Sequence, residues 1–153
     1  MRTITRSVGA LALAGALASS ALAASPTHAQ FVAASDRICA VEQAGSNAQG
    51  ARYTIAAKAN DQAGAYAALQ AIYAVHLRAS RRLAAVPAPA ADAALARRYA
   101  AVRVQSLALL KEMVDAFAAR QATAFQALAA KVNASVAKGQ AVARQLGLRV
   151  CGS

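Results

Sequence analysis

The segment 69–95, LQAIYAVHLRASRRLAAVPAPAADAAL, contains the pattern that decides the fold. In its first part the apolar residues recur at alternating steps of three and four, which is the period of an amphipathic helix. Pro87 and Pro89 end this helix, because proline lacks a backbone N–H and clashes with the preceding turn. Leu95 opens a second run of the same period, so the segment predicts two helices joined by a short connection.

The same spacing recurs elsewhere, and together the runs predict the buried stripes of four helices. Nearly a third of the chain is alanine, the best helix former, and 58% of the residues are apolar, which argues against disorder. The first stripe comprises Phe31, Ala34, Ile38, Val41, Gly45, Ala48 and Ile55. The second comprises Leu69, Ile72, His76, Ala79, Leu83 and Val86. The third comprises Leu95, Tyr99, Val102, Ser106, Leu109, Met113 and Ala116. The fourth comprises Phe125, Leu128, Val132, Ser135, Gly139, Val142 and Leu146.

Cap residues mark several of the helix ends. The dipeptide Asn60-Asp61 is suited to capping the second helix. Gly147 follows the last stripe residue and predicts a left-handed C-cap, with Leu148 as its apolar contact. The segment 119–123 contains neither glycine nor proline, so one continuous helix is an alternative to a third and a fourth. The first helix could also end or bend between Gly45 and Gly50.

The first 29 residues resemble a secretory signal peptide. Arg2 and Arg6 precede an uncharged run of 17 residues, 8–24, and the small-x-small motifs 21–23 and 27–29 follow it. Pro26 favours cleavage at the second motif, after Ala29. The sequence therefore predicts a cleaved leader over 1–29 and one domain over 30–153. An uncleaved anchor is the alternative, but the run is short for a bilayer about 30 Å thick.

Export changes how the two cysteines are interpreted. Outside the cytoplasm thiols pair, so Cys39 and Cys151 predict one disulfide, with an intermolecular bridge or two free thiols as alternatives. Four antiparallel helices bring both cysteines to the same end of the molecule, whereas three helices would separate them. We therefore expect an all-α, antiparallel up-down-up-down four-helix bundle closed by one disulfide.

These motifs carry one resemblance to a known group. An Ile-Cys near the start of an exported chain, alanine-, leucine- and arginine-rich helices, the Pro-Ala-Pro connection and the terminal Leu-Gly-Leu-x-x-Cys-Gly at 146–152 resemble small secreted helical-bundle proteins of high-GC bacteria, chiefly actinobacteria. The resemblance spans about Phe31 to Ser153. It implies the fold and an exported location in the periplasm, cell envelope or medium. It implies no catalytic residues, because the group has no established activity.

The composition leaves little material for catalysis or metal binding. The chain has six acidic residues, two histidines and no Cys-x-x-Cys-His, Glu-x-x-His or phosphate-binding glycine-rich motif. We therefore predict no catalytic residue, no metal, no cofactor and no enzymatic activity. His76 interrupts an apolar stripe, and we interpret it as a partly buried imidazole, with Ser106 and Ser135 as candidate partners.

The charge does show a pattern. The chain carries 17 basic residues and a net charge of +11, and removal of Arg2 and Arg6 with the leader leaves +9. In the predicted bundle, clustered arginines gather at the disulfide end, where guanidinium groups suit phosphate or carboxylate. The predicted anion-binding residues are Arg37, Arg78, Arg81, Arg82, Arg97, Arg98, Arg144 and Arg149.

This pattern predicts a non-enzymatic envelope or secreted protein. Its expected partners are an anionic lipid, a cell-wall polymer or an acidic protein, and no nucleic acid is expected because no aromatic platform accompanies the arginines. The alternative is a periplasmic-type helical chaperone or stress protein.

Overall fold

In a computed structural model, which describes residues 25–153, four long helices account for most of the described residues. The described residues contain no strand, and the all-α class is confirmed. The helices are α1 (His28–Lys58), α2 (Gln62–Ala84), α3 (Ala93–Ala118) and α4 (Ala122–Gln145), with a 3₁₀ turn at Ala90–Asp92 before α3. The charged and apolar parts of the predicted leader lie outside the described residues. None of the four helices is long and apolar enough to cross a membrane.

Side chains cap the starts of α1 and α2. The Thr27 hydroxyl accepts a hydrogen bond from the Gln30 backbone, and the Gln30 side chain accepts one from the Thr27 backbone, which is a capping box. Asp61 accepts a hydrogen bond from the Gly64 backbone at 2.9 Å, so the predicted cap of the second helix is confirmed. α1 runs without interruption to Lys58, and the possible break near Gly45 does not occur.

A separate turn divides α3 from α4, so the alternative of one continuous helix is wrong. Arg120 adopts a φ of 57°, which ends α3 without glycine or proline. The Phe117 and Phe125 rings pack edge to face across this turn with centroids 5.5 Å apart. At the end of α4, Gly147 has a φ of 74° and the Leu148 backbone donates to the Ala143 carbonyl, so the predicted C-cap is confirmed.

The buried face of α1 differs from the predicted one. Val41 and Ile55 belong to the predicted stripe but are 63% and 69% exposed. Phe31 is buried as predicted, but beyond it the residues that α1 buries lie one position further along the helix than the predicted ones. The buried residues of α1 are Phe31, Ser35, Cys39, Glu42 and Ala56. The other three stripes are confirmed as the buried or half-buried faces of α2, α3 and α4.

The core consists of two clusters. One joins Phe31, Tyr99, Val142 and Leu146 from three helices, and Leu83 of α2 packs against it. We call this region, which includes the two cysteines, the disulfide end. The other cluster centres on buried α2 and α3 residues and includes aromatic residues from all four helices; we call it the far end. Its buried members are Leu69, Leu110, Met113 and Val114.

A disulfide fastens the C-terminal tail to α1. The Cys39 and Cys151 sulfurs are 2.07 Å apart and their Cα atoms 5.3 Å apart, so the intramolecular pairing is confirmed. Asp36 reinforces the attachment, because its carboxylate accepts hydrogen bonds from the backbone N–H groups of residues 149, 150 and 151. The tail is therefore bound to the first helix by one covalent bond and one carboxylate.

We expect reduction of this disulfide to lower stability substantially. The bridge closes a loop with a sequence separation of 112, and in the chain-entropy model such a closure contributes about 4–5 kcal/mol. The double variant Cys39→Ser/Cys151→Ser should lose a similar free energy of unfolding in urea titrations. Reductant should then have no further effect on that variant. Equal stability of the oxidised and reduced wild type would contradict the expected contribution.

Because Thr27 caps α1, cleavage at the two candidate sites should give chains of different stability. Cleavage after Ala29 removes Thr27, whereas cleavage after Ala23 keeps it. A chain starting at Ala24 should be about 1 kcal/mol more stable than one starting at Gln30, because the longer chain keeps its cap. Urea unfolding of both chains measures the difference.

The matched control is a threonine-to-alanine pair in the longer chain. Thr27→Ala should reproduce the loss, while Thr123→Ala should not, since Thr123 is exposed in the first turn of α4 and makes no cap. Equal effects of the two substitutions would contradict the assignment.

Candidate functional site

All four helices line a cleft of about 450 Å³ on the described surface. The helices pack closely in the order α1 on α2, α2 on α3 and α3 on α4, without a comparably close contact between α4 and α1. Exposed Gln43 and Asn47 of α1 and Asn133 and Val136 of α4 form its rims. The cleft therefore opens between α1 and α4, and α2 and α3 form its floor.

A polar cluster stands in the wall of this cleft, centred on Glu42 of α1. One carboxylate oxygen, Oε1, lies 2.5 Å from His76 Nδ1 of α2 and 2.5 Å from an Arg103 nitrogen of α3. Ser46 Oγ lies 3.2 Å from His76 Nε2, and Arg103 Nε donates to the Ser80 hydroxyl at 3.0 Å. We call these residues, together with Tyr99, the Glu42 cluster; all of them line the cleft.

The contacts of Glu42 keep its carboxylate ionised although the side chain is only 8% exposed. Burial by itself raises the pKa of a carboxyl group. Hydrogen bonds from His76 and Arg103, with the charge of Arg103, outweigh burial, and the pKa of Glu42 is lowered from its ordinary value. The pKa of Arg103 is affected in a similar way: burial lowers it, but the hydrogen bond to Glu42 and the charge of Glu42 together outweigh burial, and the pKa is raised. The two groups therefore form a charged pair.

Tyr99 connects the Glu42 cluster to the disulfide. Arg103 lies over the Tyr99 ring, 5.8 Å from its centroid, and donates to the Tyr99 hydroxyl at 3.4 Å. The same hydroxyl is 3.9 Å from the Cys39 sulfur. Burial raises the pKa of Tyr99 and outweighs the opposing effect of Arg103, so the phenol stays protonated and can donate.

The order Ser46, His76, Glu42 is that of a hydrolase triad, in which hydroxyl, imidazole and carboxylate follow one another. Two features of the site oppose catalysis. Arg103 holds the same Glu42 oxygen that would stabilise a protonated imidazole. Ser46 lies in the middle of α1, where helical hydrogen bonds use the backbone N–H groups that form an oxyanion hole in many acyl-transfer enzymes.

Metal chemistry has little support in the described part of the chain. No group of three His, Cys, Asp or Glu residues there could hold a metal ion. Glu42 and His76 are neighbours, but the third side chain at Glu42 Oε1 is the guanidinium of Arg103, which is not a metal ligand.

His76 is partly buried and hydrogen-bonded, as predicted, but its partners differ from the predicted ones. It is a part-buried imidazole bonded to a serine, as expected, yet the serine is Ser46. Ser106 and Ser135 bond each other at 2.7 Å instead. The sequence analysis did not identify Glu42 as a buried site residue, because apolar periodicity assigns a carboxylate to the solvent-facing side of a helix. The available signal was its position three residues after Cys39, which places Glu42 on the same helix face as a cysteine predicted to form a disulfide.

The eight predicted anion-binding arginines are all exposed. Arg144 and Arg149 share a shallow depression at the disulfide end with Asp36. Of the remaining six, Arg37 lies in the third turn of α1, and the other five lie in the last two turns of α2 and the first two turns of α3. Leu83 and Leu95, which flank the α2 and α3 arginines, pack against the core cluster of the disulfide end.

No protein-family model, curated protein or solved structure matches this chain significantly. The resemblance to small secreted proteins of high-GC bacteria therefore stays a prediction, and the function must be argued from the chain itself.

Removal of the Glu42 charge should destabilise the protein strongly. Glu42→Gln leaves Arg103 buried without its counter-charge, which costs about 3–5 kcal/mol in comparable buried pairs. The same change at exposed Glu112, for which the structure gives no ion pair, should cost less than about 0.5 kcal/mol. Urea unfolding at neutral pH measures both.

The stability lost in Glu42→Gln should depend on pH in a defined direction. The folded pKa of Glu42 is below its ordinary value, so the ionised carboxylate stabilises the protein at neutral pH. That stabilisation is lost as pH falls from the ordinary value through the lowered one. The stability gap between wild type and Glu42→Gln should therefore narrow on acidification, and a gap that widens would contradict the charged pair.

Proposed function

We propose that this protein is an exported, non-enzymatic binding protein whose disulfide end attaches to phosphate- or carboxylate-bearing surfaces. One observation carries the proposal. Each of the eight arginines of this end is exposed, and none of them forms a salt bridge with an acidic residue of the described chain. An exposed guanidinium without a counter-charge is available to bind an anion in two hydrogen bonds.

Two acidic residues, Asp36 and Asp92, belong to the disulfide end. Asp36 accepts three backbone hydrogen bonds from the tail, and Asp92 lies 2.7 Å from the ring of His28, which cleavage after Ala29 removes. Neither carboxylate is bonded to an arginine side chain. The positive charge of the end is therefore directed to solvent, where it attracts anions over about one Debye length.

The far end has a more balanced charge. Asp61 caps α2, and Lys111 and Asp115 form an exposed pair at 2.7 Å. The basic residues near this end are Arg52, Lys58, Lys111, Arg120 and Lys131, and the acidic ones are Asp61, Glu112 and Asp115. This contrast favours the disulfide end as the binding surface.

We also infer that the helices run up-down-up-down. His76 of α2 meets Glu42 near the middle of α1, whereas the turn after Lys58 leads directly to Gln62. Ser106 meets Ser135, and Phe117 meets Phe125. In both helix pairs, partners further from the connecting turn are further apart in sequence, which is the pattern of antiparallel neighbours. This topology brings the arginine-bearing ends of α2 and α3 beside the tail.

Export has its own support. An intramolecular disulfide forms and persists in oxidising compartments. This disulfide, and the absence of a membrane-spanning helix from the described residues, are compatible with an exported protein.

Binding to anionic vesicles tests the proposed surface. The leader-free protein should sediment with phosphatidylglycerol vesicles and not with phosphatidylcholine vesicles, and high salt should release it. Each basic residue near such a surface contributes about 1 kcal/mol, so reversing Arg81, Arg82, Arg97 and Arg98 to glutamate should weaken binding by at least about 100-fold. Purified cell-wall polymer in place of vesicles distinguishes a polymer target from a lipid target.

A matched variant at the far end controls for net charge. Reversal of Arg52, Lys58, Arg120 and Lys131 changes the total charge equally and should weaken vesicle binding much less. Equal losses for the two variants, or binding that resists salt, would overturn the proposal. Suppression of client aggregation at stoichiometric ratios, without vesicle binding, would instead favour a helical chaperone.

A further inference from the structure

We propose that the cleft between α1 and α4 binds a small uncharged amphipathic molecule, one with an apolar body and a hydroxyl or carbonyl group. This site lies apart from the exposed arginines and would act independently of them. The inference goes beyond attachment to anionic surfaces, since it concerns a soluble or membrane-derived small molecule held inside the bundle.

The size and lining of the cleft suit such a molecule. Its volume of about 450 Å³ falls within the range of small-molecule sites, which is about 300–1,000 Å³. Apolar side chains of α2, α3 and α4 line the cleft together with the Glu42 cluster. The apolar residues are Ile72, Leu107, Leu110, Met113, Val132 and Val136. A predominantly apolar wall with a few convergent polar groups is the usual composition of a ligand pocket.

The charge of the polar wall selects an uncharged head group. Glu42 and Arg103 carry opposite charges and are bonded to each other within the protein. A carboxylate or ammonium entering beside them would be desolvated without a counter-charge of its own, which is costly in a buried site. A hydroxyl or carbonyl pays no such penalty, and the cleft therefore discriminates against ions.

The Glu42 cluster also retains hydrogen-bonding capacity for a ligand. Both contacts of Glu42 use Oε1, and Oε2 accepts no hydrogen bond from the described residues. No buried side-chain nitrogen or oxygen among these residues lacks a partner, so Oε2 must be accessible from the cleft. Arg103 uses three of its five N–H donors within the protein. A ligand hydroxyl could thus donate to Oε2 and accept from Arg103.

The C-terminal tail closes one end of the cleft. Val150, Cys151 and Ser153 line it beside Gln140, whose side chain donates to the Ser153 carbonyl. Since the disulfide ties this tail to α1, the closed end is held covalently. The ligand therefore enters along the open side between the rims of α1 and α4.

Three probes with the same alkyl chain test the head-group preference. Isothermal titration of the oxidised, leader-free protein with decanol, decanoate and decylammonium compares a neutral, an anionic and a cationic head. We expect saturable binding of decanol with one site per chain and at least tenfold weaker binding of both ions. Absence of decanol binding would overturn the proposal, and so would equal affinity for decanoate.

A pair of valine variants locates the site without disturbing the charged pair. Val136 lines the cleft and is 42% exposed, whereas Val104 lies outside it on α3 and is 67% exposed. Val136→Trp should fill the cleft and reduce decanol affinity at least tenfold, and Val104→Trp should leave it unchanged. Equal effects of the two variants would place binding elsewhere and overturn the assignment.

Two further measurements distinguish ligand binding in the cleft from vesicle binding at the arginines and from catalysis at Ser46. Val136→Trp should retain full binding to anionic vesicles, so failure of the cleft and failure of the arginine surface are distinguishable. Incubation with p-nitrophenyl decanoate should release no nitrophenol beyond that released by a Ser46→Ala variant. Release that depends on Ser46 would identify a reactive centre and overturn a pure binding role.

Discussion

The buried charge of Glu42 is the constraint on which the arrangement of the first three helices depends. One carboxylate on α1 holds His76 of α2 and Arg103 of α3 at the same oxygen. A pair of this kind adds little net stability, because desolvation offsets most of the attraction, but it is expensive to separate. Sliding α1 or α3 would leave a buried charge unpaired, and sliding α2 would break the hydrogen bond between His76 and Glu42. The pair therefore fixes how these helices align more than it stabilises them.

The fourth helix is attached differently. It packs on α3 through small and apolar residues such as Ser135, whose hydroxyl meets Ser106, and its end is bound to α1 by the tail and the disulfide. A covalent link at one end holds α4 near α1 without requiring their side chains to interdigitate along their length. The space left between them is the cleft, and the Glu42 cluster faces it. The disulfide thus closes the bundle at one end, and the cleft between α1 and α4 stays open along the rest of their length.

Much of the fold could be predicted from sequence because the relevant preferences are local. The apolar spacing of α2, α3 and α4, the Asp61 cap and the Gly147 C-cap depend on residues within a few positions of each other, and all were confirmed. The face of α1 was wrong by one position, since Val41 competes with Glu42 and hydrophobicity alone favours the valine. The break between α3 and α4 near 119–123 was predicted with one continuous helix as the alternative, because a positive φ at a residue such as Arg120 depends on its surroundings and not on its residue type.

By itself the sequence determined four helices, their approximate limits and a pair of cysteines able to close the chain, for these follow from period, backbone preference and the chemistry of thiols. Only the tertiary structure decided that Glu42 is buried and ionised, because its partners lie 34 and 61 positions away and no local pattern records them. The cleft, too, was decided only by the tertiary structure. A cavity depends on which helices fail to pack against each other, and that is a property of the whole assembly of helices.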